Sequence, residues 1–286
     1  DVTTVVVGTG YTGRRLLNRL PAESALGLTR TLPAETSRHE IRRLLLDEPV
    51  PILDLPTPYR LLYTVPPAPD ADHDRRLESF LQALTTAPER LVYLSTTGVY
   101  GDRSGGVVTE ATPVRPQTAR AARRVAAENA LAKFANDRDT EITILRVPGI
   151  YGPERLMIEQ IRDNKPLIAE AQANPGNRIH VDDLVAACCA ALDPDSTAGT
   201  YNLGDGDTRS STWFAGEVAR QLGWTPPPAI SREEAEASFS ARRLSFLGES
   251  RRVDTSRMRT VLGVMPMYAD AADGIRASLV AMDLLD

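Results

Sequence analysis

Cysteine and lysine are both scarce in this chain of 286 residues. The two cysteines, Cys188 and Cys189, are adjacent and would point in different directions from a helix, which argues against a disulfide framework. Only Lys133 and Lys165 are lysines among the 33 basic residues, and no basic run stands clear of acidic neighbours. We therefore expect no nucleic-acid partner.

Long apolar runs, internal repeats and low-complexity segments are also absent. A membrane span needs ~18 or more consecutive apolar residues, so we expect no membrane partner. The first predicted strand begins close to Asp1, so we expect no signal peptide and a cytoplasmic protein. With 42% hydrophobic residues and a net charge of −5, the chain has enough apolar material for a large core.

The stretch Thr4–Leu17 predicts a buried strand, a glycine turn and the start of a helix. In a G-x-G-x-x-G turn the first glycine permits the turn, the second admits a pyrophosphate, and the third lets the helix pack on the strand. Unpaired N–H groups at the helix start bind phosphates. A glycine turn without a ligand is the alternative. The cofactor-binding residues predicted here are Gly8, Gly10, Tyr11, Thr12 and Gly13.

Two later positions bear on the choice of dinucleotide. The second predicted strand, Ala25–Arg30, ends in Thr29 and Arg30, where an acidic residue would bind a ribose 2′-hydroxyl. A hydroxyl and a guanidinium suit a 2′-phosphate, which favours NADP, with NAD possible; an exposed surface arginine is the alternative. A third strand is predicted within Ile41–Asp47. Asp47 at its end is predicted to meet the adenine amino group or to be a solvated turn residue.

The next two strands carry polar residues at their carboxyl ends, where ligands bind in an open α/β sheet. Arg60–Val65 is followed by two prolines, so Thr64, Val65 and Pro66 are predicted to line the cofactor. The strand Arg90–Leu94 runs into a cluster of hydroxyls. Of these, Ser95 is predicted to bind cofactor and Thr96 and Thr97 to bond a carbonyl or substrate hydroxyl, unless the turn satisfies its own backbone.

Five motifs follow one another along the chain, namely Gly8–Gly13, Ser95–Gly101, Leu145–Pro153, Arg178–Leu184 and Tyr201–Gly204. In this order they resemble an extended short-chain dehydrogenase/reductase of the NAD-dependent epimerase/dehydratase superfamily, in a branch of sugar-nucleotide-epimerase-like proteins. The resemblance implies an α/β fold with a doubly wound, Rossmann-type, mostly parallel sheet and a small C-terminal substrate lobe. It also implies oxidoreductase or epimerase chemistry, and a monomer or homodimer.

One departure from the family pattern concerns proton transfer. Such enzymes carry Tyr-x-x-x-Lys, with Glu four residues further, on the helix predicted here over Thr118–Glu128. Counting back from Glu128 places Arg124 at the Lys position and Arg120 at the Tyr position. Arg124 is predicted to bind ribose hydroxyls in the catalytic site. A guanidinium stays charged and cannot shuttle protons, so the standard acid/base pair is missing.

Several residues are predicted to replace the missing pair or to hold the substrate. Thr96 would polarise the reacting oxygen, and the proton would come from water, Tyr100, Tyr151 or His180, although structural roles are the alternative for all three side chains. A helix from Glu154 to about Asn164 and a polar loop, Lys165–Asn177, are predicted over the pocket. The remaining predicted site residues are Pro148 for the cofactor, and Thr97, Tyr151, Arg155, Arg178 and His180 for an anionic or hydroxylated substrate. No metal site is predicted.

The predicted organisation is a dinucleotide-binding domain over 1–150, completed by about 181–204, and a smaller substrate-binding lobe from 151–180 and 205–286. The predicted function is an NAD(P)-binding epimerase/dehydratase-like oxidoreductase acting on a small hydroxylated or nucleotide-sugar-like metabolite. The alternative is a catalytically silent NADP-binding sensor or regulator. A third, weaker hypothesis is that the chain is a sugar-nucleotide binder.

Overall fold

A seven-stranded parallel sheet forms the centre of the computed structural model, which describes residues 1–286. The order across the sheet is β11-β7-β5-β4-β1-β2-β3, so the chain winds outward from β1 in one direction and then crosses back to wind in the other. This is the predicted doubly wound α/β fold. The strands of this sheet are β1 Thr3–Val7, β2 Ala25–Thr29, β3 Glu40–Arg43, β4 Tyr59–Tyr63, β5 Arg90–Thr96, β7 Glu141–Val147 and β11 Gly199–Asn202.

Six short strands pair outside the central sheet, as β8 with β10, β9 with β12 and β6 with β13. Each pair is parallel and joins segments far apart in the sequence. They are β6 Val107–Val108, β8 Gly149–Tyr151, β9 Leu167–Ile168, β10 Arg178–His180, β12 Ala229–Ile230 and β13 Arg252–Val253.

Ten α-helices surround the strands, and none is long and apolar enough to cross a bilayer. They are α1 Tyr11–Arg19, α2 Arg75–Ala83, α3 Ala119–Arg138, α4 Ile158–Arg162, α5 Val181–Leu192, α6 Ser211–Leu222, α7 Arg232–Ser238, α8 Ala241–Leu247, α9 Ser256–Thr260 and α10 Ala271–Ala281.

The core lies on both faces of the central sheet, because successive side chains of a strand point to opposite faces. Val6 in β1 belongs to one apolar cluster, with residues of α1 and α5, whereas Val5 and Val7 belong to another, with residues of α2 and α3. A third cluster joins α6 and α10 around Tyr151 and Phe214. The division into a 1–150 domain and a substrate lobe remains a prediction.

Four predicted elements differ from the observed ones. The third strand is Glu40–Arg43, before the leucine run, because Leu44 and Leu46 are buried in the core beyond the strand end. The helix predicted from Glu154 is only Ile158–Arg162. The predicted loop Lys165–Asn177 contains β9, and the single helix predicted over Arg232–Ser240 is two helices, with Ser240 capping the second.

Candidate functional site

The glycine turn leaves the start of α1 open. Gly10 caps this helix without a side-chain hydrogen bond, and no acidic residue occupies the first turn. A Cβ on Gly10 would have no atom within 4 Å, whereas a Cβ on Gly13 would lie 1.8 Å from the Gly8 carbonyl oxygen. Gly13 is therefore required for packing, and Gly10 faces open space beside free backbone N–H groups.

Thr64 fixes the glycine turn from the end of β4. Its hydroxyl lies 2.9 Å from both the Val7 and the Gly8 carbonyl oxygens. Gly8 has a φ of +91°, and a Cβ there would lie 2.3 Å from Thr64 Oγ1. Thr64 thus holds the turn in shape, and Val65 beside it packs against the core. The buried Thr12 and the half-buried Tyr11 begin α1, and the Tyr11 hydroxyl donates to the Pro153 carbonyl at 2.7 Å.

An uncommitted cation, Arg30, lies at the edge predicted to hold the adenosine half of the cofactor. Arg30 follows β2, is exposed, and makes neither a side-chain hydrogen bond nor an ion pair, while Thr29 is buried with its hydroxyl on the Thr31 carbonyl at 3.2 Å. Asp47 is half-exposed and accepts hydrogen bonds from Arg76 at 2.7 and 2.8 Å and from Arg75 at 3.0 Å. The bonds from Arg76 are the main reason why its pKa is lowered. Asp47 is therefore paired with two guanidiniums. The sequence predicted instead a contact with the adenine amino group or a solvated turn residue, and neither interpretation includes this pairing.

A cavity of about 1150 Å³ opens at the carboxyl ends of β4, β5 and β7, between the sheet and the helices α4, α7 and α8. Parallel strands present ligands at this edge. Five of the predicted site residues line it, namely Pro66, Thr96, Thr97, Arg124 and Pro148. Thr96 Oγ1 accepts the Gly98 N–H at 3.1 Å, so its own proton is still available to donate toward the cavity.

The two arginines at the Tyr and Lys positions both line this cavity but have different partners. Arg124 Nη1 donates to Tyr93 Oη and to the Leu94 carbonyl, both at 3.0 Å. Arg120 instead reaches α8, where Nη1 donates to Ser245 Oγ at 2.9 Å and the guanidinium stacks 3.8 Å from the Phe246 ring centre. Helix α3 thus directs one guanidinium toward the sheet and the other toward the α7–α8 region.

Tyr100 and Ser95 lie in a buried polar network rather than in the cavity. Ser95 Oγ donates to Glu128 at 2.7 Å, and Glu128 pairs with Arg146 at 2.7 Å. Arg146 donates to Tyr100 Oη at 2.9 Å, and that hydroxyl donates to Asn202 at 2.5 Å. Burial raises the Tyr100 pKa, and its side chain is fully buried. The placement does not support proton transfer by Tyr100 or cofactor contact by Ser95.

His180 and Tyr151 are also buried away from the cavity, so the structural alternative describes them better. His180 Nδ1 accepts the Asp182 N–H at 3.0 Å at the start of α5, which leaves Nε2 to donate to Ser278 Oγ at 3.1 Å. Burial lowers the His180 pKa, which favours the neutral ring. The Tyr151 ring meets it edge-on at 5.2 Å, and burial raises the pKa of the Tyr151 phenol.

Arg155 and Arg178 do not line the cavity either. Arg155 is exposed and lies 3.9 Å from the Tyr11 ring centre, over the start of α1. Arg178 is buried and donates to the Ser210 carbonyl at 3.2 Å, with Asp207 3.7 Å away. Both contacts are internal, and of the two side chains only Arg155 is exposed to solvent. Burial raises the pKa of nearby Asp205 to about 7.

The cavity is cationic and lacks the usual proton-transferring side chains. Seven arginines and Lys165 line it, against the single carboxylate of Glu249, which accepts a 2.5 Å hydrogen bond from Arg251. No tyrosine, histidine, aspartate or cysteine is among the lining residues. The sequence did not predict most of these cations, because they come from five separate segments and no motif marks them. The excess of arginine over lysine was the only signal of these cations in the sequence.

Comparison with known proteins agrees with this architecture. A model of the NAD-dependent epimerase/dehydratase family matches residues 75–204. The chain is similar to this family over that range, which is less than half of its length. Protein YeeZ of Escherichia coli K12 is 27% identical over 188 residues, which cover 66% of this chain and 62% of YeeZ. The chain thus spans about three-fifths of the length of this curated relative.

Two solved structures resemble the whole chain. A conserved protein of unknown function from Silicibacter pomeroyi is 27% identical with a TM-score of 0.79, covering 98% of this chain and 99% of its own. UDP-glucuronic acid 4-epimerase from Bacillus cereus, in complex with NAD, is 18% identical with a TM-score of 0.74 and full coverage of both chains. At that identity the second likeness concerns the fold alone.

Proposed function

We propose that this protein is an NAD(P)-binding epimerase/dehydratase-like oxidoreductase with non-standard acid/base residues. Its substrate is a small hydroxylated or nucleotide-sugar-like metabolite bound in the cavity beside Thr96. The observation that carries the proposal is the open start of α1 at Gly10. It lies at the same carboxyl edge of the sheet as a cavity large enough for a metabolite.

The residues present fit a dinucleotide. The N–H groups at the start of α1 would hold its diphosphate, and Gly10 provides the space for close approach. Arg30, with no internal partner, would bind a 2′-phosphate, which favours NADP over NAD. Arg124, held through Nη1 alone, has Nε and Nη2 left for ribose hydroxyls. The bound nicotinamide would supply hydride chemistry.

In this proposal Thr96 polarises the reacting oxygen, and water supplies the proton. Thr96 lines the cavity with a free hydroxyl proton that can donate to a substrate oxygen. Tyr100, Tyr151 and His180 are withdrawn as donors because each is buried outside the cavity. The seven arginines and Lys165 favour a substrate that carries negative charge, as nucleotide sugars do.

A catalytically silent NADP-binding sensor is the second candidate. It is favoured by one observation, the absence of tyrosine, histidine and aspartate from the cavity lining. Redox turnover of aldehydes, ketones or nucleotide sugars, or epimerised product without net redox change, would rule it out.

Cofactor choice is tested by titrating NADPH and NADH, followed by fluorescence, into the wild-type chain and into Arg30→Ala. Loss of a guanidinium–phosphate pair should weaken NADPH binding about tenfold and leave NADH unchanged. The control is Arg19→Ala, which removes an exposed arginine from the last turn of α1, at the opposite end of that helix from the glycine turn. Equal affinities for both cofactors in all three proteins would contradict the NADP assignment.

A further inference from the structure

Arg120 occupies the position where the family resemblance places a proton-transferring tyrosine. Its guanidinium is held in place by neighbouring groups. Its two Nη atoms donate to Ser245 Oγ at 2.9 Å and to the Ser245 carbonyl at 3.2 Å, and the Phe246 ring lies 3.8 Å away. Both partners belong to α8, which also carries Arg242 into the same cavity. Three contacts from one helix thus orient a guanidinium plane at the cavity wall.

Neither Arg120 nor Arg242 has a carboxylate within 4.0 Å. Glu249, the single carboxylate of the cavity, is hydrogen-bonded to Arg251 at 2.5 Å. Burial lowers the pKa of Arg120, Glu249 raises it, and like charge from Arg242 and Arg251 lowers it further. Like charges held near one another repel, and a bound anion would offset the part of that repulsion that Glu249 does not.

We propose that Arg120 and Arg242 form a subsite for an oxyanion group of the substrate, either a phosphoryl group or a carboxylate. The residue at the tyrosine position then binds charge instead of transferring a proton. A guanidinium donates two parallel hydrogen bonds to such a group, which an ammonium cannot do. The subsite rests on the proposed function and deepens it, because it makes the substrate an anion whose charged group lies beside α3 and α8.

The subsite is tested by calorimetric titration of inorganic pyrophosphate into the full chain. The protein is saturated with NADPH, and a parallel series uses Gly10→Ala, so that the glycine turn does not compete. Arg120→Gln and Arg242→Gln should each bind pyrophosphate about tenfold or more weakly, since each loses a charged hydrogen-bonding partner. The control Arg162→Gln changes an arginine of α4 outside the cavity and should bind like the wild type.

Two further arms make the result specific. Arg120→Lys keeps the charge but loses the paired donors, so it should bind pyrophosphate more weakly than the wild type. Arg242 makes no side-chain hydrogen bond, so its substitution decides the matter if Arg120→Gln fails to fold. Repeating the titration with malonate distinguishes a carboxylate from a phosphoryl ligand, and variant-sensitive binding of either supports the subsite.

The subsite is overturned if pyrophosphate and malonate bind Arg120→Gln and Arg242→Gln as they bind Arg162→Gln, or do not bind the wild type at all. NADPH titration of the same proteins separates this failure from that of the proposed function. Normal NADPH binding with variant-insensitive anion binding removes only the subsite. Absent NADPH binding removes the proposed function, and the Gly10→Ala series still decides the subsite.

Discussion

Gly10 and Gly13 lie in the same turn but are constrained by different neighbours. The missing side chain of Gly13 allows α1 to approach the Gly8 carbonyl oxygen, which a Cβ would meet at 1.8 Å. Gly10 has a φ of −76°, which any residue can adopt, and open space where its Cβ would point. The fold therefore needs the third glycine of the motif, whereas no packing contact requires the second.

Alanine substitutions should separate these two requirements. Gly13→Ala forces a clash with backbone and should lower the free energy of unfolding by about 1–3 kcal/mol. Gly10→Ala meets no atom and should change it by less than about 1 kcal/mol, with either sign. Urea unfolding of both variants measures the difference. Equal destabilisation of the two proteins would show that Gly10 also has a packing role.

Helix α3 is fixed to the sheet by a buried ion pair. The side chains of Glu128 and Arg146 are 11% and 9% exposed, and Glu128 also accepts the Ser95 hydroxyl. These bonds join α3 to β5 and β7, and so they position the Arg120 and Arg124 guanidiniums in the cavity. A buried charge that loses its partner is costly, since its remaining partner stays desolvated.

Glu128→Gln should therefore destabilise the chain by about 3–5 kcal/mol, because Arg146 is left charged and buried. Asp137→Asn is the matched control on the same helix, since its pair with Lys133 is 54% and 78% exposed. That change should cost less than about 1 kcal/mol. Guanidinium unfolding of the two variants measures both values. A small loss in Glu128→Gln would mean that the pair does not fix α3.

Elements with local signals were predictable from the sequence. The β-branched run of β1, the glycine turn and the periodic leucines of α2 agree with the structure. β3 was placed too late, because three of its four residues are charged and exposed while the leucines after it fill the core. β9 and β12 were missed, since each has two residues and exists only through pairing across a long sequence distance.

At the scale of the molecule, charge is distributed unevenly. The chain carries −5 overall, yet its cavity gathers seven arginines and a lysine around one carboxylate. The sequence placed Thr96 and Thr97 in the candidate site because they follow the end of a predicted strand, and both line the cavity. It could not bring Arg120, Arg242 and Arg251 together, since only the fold does so. It also proposed Tyr100, Tyr151 and His180 for chemistry, and tertiary packing buries all three.

The central claim is that the backbone at the start of α1 binds the diphosphate of a nicotinamide dinucleotide. Fluorescence titration of NADPH into the wild type and Gly10→Ala tests it most directly, with urea unfolding run on both proteins. The account predicts that the wild type binds and that Gly10→Ala, equally stable, binds at least about tenfold more weakly, because its methyl group occupies the space of the diphosphate. Equal NADPH affinity in the two proteins, or no binding by the wild type, would contradict it.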